Sequence, residues 1–160
     1  MKVGLLYALL FVLFGCSQVK EKKNDIAKIK LIELSDQKPI DLAQYEGKAV
    51  FINFWATWCK PCIQEMPTIV VAQEKLKNEN VIFLFASNEE SDQVEKFAKK
   101  HNYELHYVLL ENMEALNIQA LPTTFIFNPE GKLKFSETGF RAWDAPESIE
   151  RITKIINNHD

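Results

Sequence analysis

The chain has 160 residues, 47% of them hydrophobic and 26% charged, with a formal net charge of −3. That length fits a single domain with enough apolar material for a full core. So mild an acidic balance offers no basic footprint, which excludes a nucleic-acid-binding role.

The first fifteen residues stand apart. Lys2 is followed by an apolar run over residues 3–14, too short to span a bilayer comfortably and matched to the h-region of a secretory signal. The run ends in Leu13-Phe14-Gly15-Cys16, which resembles a bacterial lipobox, where cleavage before the cysteine follows its lipidation; Phe14 is bulkier than is usual in its slot. On this reading residues 1–15 are a signal peptide, Cys16 carries lipid, and the charged stretch 16–28 is a tether. A free Cys16 in an uncleaved anchor helix is the alternative, but lipidation accounts for the odd cysteine of three. Two or three acyl chains anchor stably where one binds only marginally. The domain that follows, residues 29–160, is then extracytoplasmic (periplasmic), held to the inner or outer membrane, where disulfides persist.

Residues 29–34 read as a weak strand, and residues 41–47 as a short helical turn stopped by Gly47. Residues 49–55 form a strand with almost no alternation, the mark of a central strand covered on both faces. A helix is predicted over about residues 59–78, kinked at Pro67, which cannot donate to the carbonyl of Ile63. Residues 81–86 are a second buried strand. Glu89-Glu90-Ser91-Asp92 reads as a solvated helix start, with Ser91 as the cap of a helix running to about Asn102. Residues 105–110 form a short strand, and residues 112–117 one or two helical turns. Residues 123–127 and 132–136 flank Asn128-Pro129-Glu130-Gly131, a hairpin with turn chemistry at its tip. A last helix runs from about Asp144 to Asn157, with Ile149, Ile152, Ile155 and Ile156 on one face. This order implies an α/β fold, a mixed central sheet flanked by helices on both faces, without internal repeat or second domain.

Trp58-Cys59-Lys60-Pro61-Cys62 places a Cys-x-x-Cys directly after a buried strand and at the opening of a helix, a layout for thiol–disulfide chemistry. The spacing lets the sulfurs form a small, reversible disulfide. Cys59 falls at the helix N-terminus, where free N–H groups and the helix dipole favour its thiolate, and Cys62 lies one turn inside. Cys59 is therefore the attacking sulfur, and Cys62 resolves the mixed disulfide by attacking Cys59 in turn. Lys60 adds a nearby positive charge, and Pro61 suits the first helical turn. Two inert readings compete. A structural disulfide closing so small a loop gains little entropy. A structural zinc site needs two more ligands; Cys16 is assigned to lipid, and His101, His106 and His159 sit at no ligand spacing, so neither metal nor cofactor is expected.

Residues 54–62, Phe-Trp-Ala-Thr-Trp-Cys-Lys-Pro-Cys, are followed about sixty residues on by Leu121-Pro122-Thr123-Thr124-Phe125. Together these motifs resemble the thioredoxin superfamily, and within it the membrane-anchored, extracytoplasmic branch typified by TlpA, ResA and CcmG. The resemblance covers about residues 29–158 and implies a thioredoxin-like fold. It implies that Pro122 is cis and faces the disulfide, helping to hold substrate backbone with Leu121 and Thr123 beside it. Trp58 would belong to the surface around Cys59, and Trp55 to the core. Thioredoxin has a buried aspartate on the strand before the motif; here Asn53 stands there, unable to take a proton and read as a core hydrogen-bonding residue. Glu65, three residues after Cys62 and on the same helix face, matches the pattern Cys-x-x-Cys-x-x-Glu-x-Pro, completed by Met66 and Pro67. A partly buried carboxylate with a raised pKa can take the proton that Cys62 must lose. The alternative is a solvated helix-face glutamate.

The function implied is a thiol–disulfide oxidoreductase that reduces disulfides in exported proteins, apocytochrome c being a candidate class. A membrane electron donor of thiol type would restore the dithiol. The direction rests on resemblance alone, since potentials span more than ~100 mV on one fold. A thioredoxin-fold copper chaperone is one alternative, but it would space its cysteines by three residues and add a late histidine. A peroxidase would pair a threonine with a single peroxidatic cysteine. An inactive binding module would have no need of both cysteines.

Overall fold

The computed structural model describes residues 24–157. The expected signal peptide, Cys16 and most of the tether lie outside the described residues. In chain order the elements are β1 Leu31–Glu33, β2 Ala49–Phe54, α1 Lys60–Lys75, β3 Val81–Ser87, α2 Ser91–His101, β4 Tyr107–Leu110, β5 Thr123–Phe127, β6 Leu133–Thr138 and α3 Pro146–Ile156. Single 3-10 turns lie at Ile26–Lys28, Leu42–Tyr45 and Met113–Leu116.

The strands form one mixed sheet in the order β1-β4-β3-β2-β5-β6. β2, β3 and β4 run parallel, while β1, β5 and β6 are antiparallel to their neighbours. Every residue of β2 is buried, which explains its unbroken apolar sequence. The β2–α1–β3 and β3–α2–β4 connections step the same way across the sheet, so right-handed crossovers put both helices on one face. α3 joins them there. Phe51, Phe85 and Ile126 of the sheet pack with Met66 and Ile69 of α1, Phe97 of α2 and Ile152 of α3 in a continuous core. On the opposite face Val50, Ile52, Phe54 and Leu84 pack beneath Ile26, Ile29, Ile40 and Leu42. The mixed sheet is as expected, but all three α-helices share one face; the second face carries 3-10 turns and extended chain, because neither crossover returns over it.

Several boundaries differ from those read in the sequence. Ile26, ahead of the expected domain start at residue 29, is already buried and donates its amide to Gly131 O at 3.0 Å. The first helix ends at Lys75, and Leu76 closes it by donating its amide to Ala72 O at 3.0 Å. That helix continues through the exposed Pro67. Glu90, not Ser91, caps α2: its backbone carbonyl accepts the Gln93 amide at 3.0 Å, and the Gln93 side chain accepts from Glu90 N at 3.3 Å. Serine is the commoner cap, which placed the expected start one residue late.

Gly131, at the β5–β6 tip, has φ +71°, and a Cβ there would press on Asn24 Oδ1 and Ile26 Cγ2. Gly47 has φ +84° with open space around it. Gly131→Ala is therefore expected to cost about 2–3 kcal/mol, and Gly47→Ala about 1 kcal/mol. Urea unfolding of both variants checks the difference; equal losses would mean that the N-terminal arm does not press on the tip.

Candidate active site

β2 and β3 both end at the same edge of the sheet, and the chemistry-bearing loop starts there. Trp55 N donates to Ala86 O at 3.1 Å, after which the chain leaves the sheet. Cys59 N then bonds Ala56 O at 3.1 Å, closing a tight turn with Thr57 and Trp58 at its corners. Trp55 is buried against Phe97, whereas Trp58 is thrown outward, 72% exposed. Cys59 is the N-cap of α1, with extended backbone, and its Sγ accepts the Cys62 amide at 3.3 Å. Cys59 and Cys62 are joined by a disulfide. Both are buried, Cys62 completely.

Glu65 lies one turn beyond Cys62 and is fully buried. The solvated alternative is thereby excluded. Its Oε1 accepts from Asn53 Nδ2 at 2.7 Å, and its Oε2 from the Arg141 backbone amide at 3.1 Å. Burial pushes the carboxyl up to about 7, against the pull of those two N–H donors. The nearby Glu137 charge pushes the same way as burial. Asn53 also donates Nδ2 to Thr124 Oγ1 at 3.0 Å, so it serves as the expected core hydrogen-bonding residue. A group titrating near neutrality, one helical turn from a sulfur that must shed a proton, is a suitable general base.

The Leu121–Pro122 peptide is cis. Thr123 pairs with Phe54 at the end of β2, which brings the proline to the sheet edge that carries the disulfide loop. Leu121 is half-buried. The Thr123 hydroxyl is spent inside the fold, donating to Ala120 O at 2.7 Å and lying 2.9 Å from Thr138 Oγ1. The hydroxyl is therefore not free to meet a ligand. Gly139 N donates to Pro122 O at 2.8 Å, and Arg141 N bonds Glu65. Phe140, between those anchors and 51% exposed, is therefore an apolar residue on the rim of the site. Sequence reasoning missed it, because nothing local separates it from a loop phenylalanine. Glu89 was also misread: half-buried instead of solvated, it holds Thr57.

A protein-family model described as the AhpC/TSA family matches residues 24–136. The chain is 35% identical over 113 residues to the thiol-disulfide oxidoreductase ResA of Bacillus subtilis, a match covering 68% of this chain and 63% of that protein. It is 38% identical to ResA of Geobacillus kaustophilus, covering 72% and 67% of the two chains. Among solved structures, a thiol:disulfide interchange protein of the thioredoxin family from Chlorobium tepidum superposes with a TM-score of 0.65 at 27% identity, covering 78% of this chain and 90% of that one.

Glu65 also makes stability depend on pH. Its folded pKa lies above the ordinary 4.5, so its contribution is fully present below about 4.5 and is lost as pH rises through about 7. At about 1.4 kcal/mol per unit, the loss is of the order of 3–4 kcal/mol. Glu65→Gln removes the titrating group and is expected to flatten the fall in urea midpoint of the oxidised protein between pH 5 and pH 8. A variant whose midpoint falls as steeply as the wild type's would show that Glu65 is not the titrating group.

Proposed function

The chain belongs to the AhpC/TSA family, alongside thiol–disulfide oxidoreductases of ResA type, and we propose that it reduces disulfides in exported proteins. The observation that carries this reading is the fully buried Glu65, aligned with a Cys-x-x-Cys at a helix start. The disulfide described above is the oxidised end of the cycle. In the reduced form the Cys62 amide and the start of α1 face the Cys59 sulfur and favour its thiolate.

Cys59 thiolate attacks one sulfur of the client disulfide. A mixed disulfide forms, and the other client sulfur leaves as a thiolate that takes a proton from water. Glu65 carboxylate then accepts the Cys62 proton, and the Cys62 thiolate attacks Cys59 Sγ. The mixed disulfide breaks, and the second client thiol departs with a proton. Two electrons have passed to the client, and Cys59–Cys62 is again a disulfide. A thiol donor at the membrane restores the dithiol. Exposed Trp58 offers the client segment a wall beside this exchange, with half-buried Leu121 and the buried cis Pro122 and Thr123 at the same sheet edge. Residues 1–15 serve as the lipoprotein signal, Cys16 carries the anchoring lipid, and the domain works on the outer side of the cytoplasmic membrane. Disulfides of apocytochrome c are the client class proposed.

In cells producing Cys62→Ala, a client joined to Cys59 by a disulfide is expected to accumulate, and with Cys59→Ala it should not. Mass spectrometry of the trapped species names the client; no Cys59-linked protein would defeat the proposed attack order. A Cys59–Cys62 couple as oxidising as a dedicated disulfide donor would reverse the direction. Glu65→Gln is expected to slow client release at neutral pH by roughly 10²-fold while leaving formation of the mixed disulfide intact, the range of a lost general base. Rapid-quench kinetics separate the two steps.

A further inference from the structure

The turn that carries Trp58 and Cys59 has its own anchor, outside the cysteine chemistry. Thr57 donates its backbone amide to Glu89 Oε2 at 2.7 Å and its hydroxyl to Glu89 Oε1 at 2.7 Å. Both carboxylate oxygens are thus used by one residue of the turn. Glu89 is itself held in place. Ser87, fully buried at the end of β3, donates its hydroxyl to Glu89 Oε2 at 3.1 Å and accepts the Glu89 amide at 3.3 Å. Charge-assisted bonds to a fixed carboxylate are about twice as strong as neutral ones. The bond from Cys59 N to Ala56 O closes the turn on the inside; Glu89 fixes its outer corner.

We propose that Glu89 is a positioning residue for the redox site: through Thr57 it sets the turn that displays Trp58 and seats Cys59 as the cap of α1. The alignment of the Cys59 sulfur with the Cys62 amide depends on how the chain enters the helix. Entry is decided over the two residues after Thr57. A loose turn would let Cys59 swing off the helix axis, and its thiolate would lose the N–H and dipole that stabilise it. The charged groups around this turn are Glu89 itself, Lys60 next to Cys59 on α1, and Glu65 a turn beyond Cys62.

The proposal rests on the oxidoreductase reading for the importance of Cys59, but its test does not need a client. Reduced wild type, Glu89→Ala and Glu89→Gln, each checked for folding by circular dichroism, are alkylated with iodoacetamide from about pH 5 to pH 10, and modification of Cys59 is followed by mass spectrometry. Gln keeps an acceptor for the Thr57 amide and an NH₂ that can donate to its hydroxyl. The Cys59 profile of Glu89→Ala is expected to move to higher pH, slowing alkylation at pH 7 by about threefold, the scale of a lost helix-terminus interaction. Glu89→Gln should stay with the wild type or move to lower pH. A wild-type profile for Glu89→Ala would overturn the proposal, and so would a downward shift, which would mean that Cys59 feels only the charge. So would a Gln variant that follows Ala. If Glu89→Ala does not fold, Thr57→Val removes one donor, keeps the carboxylate, and should shift the profile upward by a smaller amount; no shift would overturn it equally. A protein that passes this test yet traps no client would separate a sound turn anchor from a wrong client assignment.

Discussion

The Glu65 carboxylate is the constraint on which the arrangement of the site depends. Placing such a group in the interior costs several kcal/mol unless its oxygens are bonded. Here one oxygen is met from β2 by Asn53, and the other from the loop after β6 by the Arg141 amide. Three segments far apart in sequence are thereby tied at one point. The same helix face provides a second tie one turn on, where the Thr68 hydroxyl accepts the Trp143 amide at 3.1 Å. Arg141 is steadied by Glu137 at 2.6 Å and Ser148 at 2.9 Å. The loop that presents Phe140 is thus docked on α1 by polar contacts, and its position follows from the buried carboxylate.

Strand geometry decides where this chemistry can sit. Parallel β2 and β3 deliver their carboxyl ends to one edge, and loops leaving that edge hold functional groups in open sheets. β2 leads into the turn with Cys59, and the loop after β3 supplies Glu89, which holds that turn and is itself held by Ser87 at the strand's end. Antiparallel β5 adds cis Pro122 at the same edge, because Thr123 pairs with Phe54. The two carboxylates then divide the work by environment. Glu65, sealed from water, is poised near neutrality. Glu89, half-buried with three hydrogen-bond donors around it, acts as an anchor.

Features carried by local pattern were readable from the sequence. The unbroken apolar run of β2, the hairpin around Gly131 and the helix opening at Cys59 each depend on residues close together in the chain. The Leu121–Pro122 motif carried its cis geometry through resemblance, and Cys-x-x-Cys-x-x-Glu carried Glu65. Features that depend on what folds onto them were not readable. Glu89 sits in an acidic stretch that looks solvated, and only the arrival of Thr57, 32 residues earlier in the chain, takes it partly out of water. Phe140 and the Arg141 amide gain their meaning from a loop docking onto α1, and a backbone N–H leaves no mark in sequence. The cap at Glu90 was missed for a smaller reason, since two adjacent residues could each have served.

Asn53 and Glu65 form a matched pair, and neither is independent of the other. An aspartate on β2 would set two buried carboxylates about a hydrogen bond apart, where like charges cannot both ionise and one must stay protonated. The proton would then be shared, and a single group titrating near neutrality would be replaced by two coupled steps. The Asn53 amide avoids this, since Nδ2 donates to Glu65 and to Thr124 Oγ1 and favours the charged carboxylate. The arrangement leaves Asn53 Oδ1 buried without a hydrogen-bond partner, a cost of about 1–3 kcal/mol. That cost is tolerable at a site where orientation of the donor matters more than saturation of the acceptor. Moving the carboxylate from strand to helix therefore requires the strand residue to become a neutral donor, and the departure from thioredoxin at position 53 and the glutamate at position 65 are one physical change.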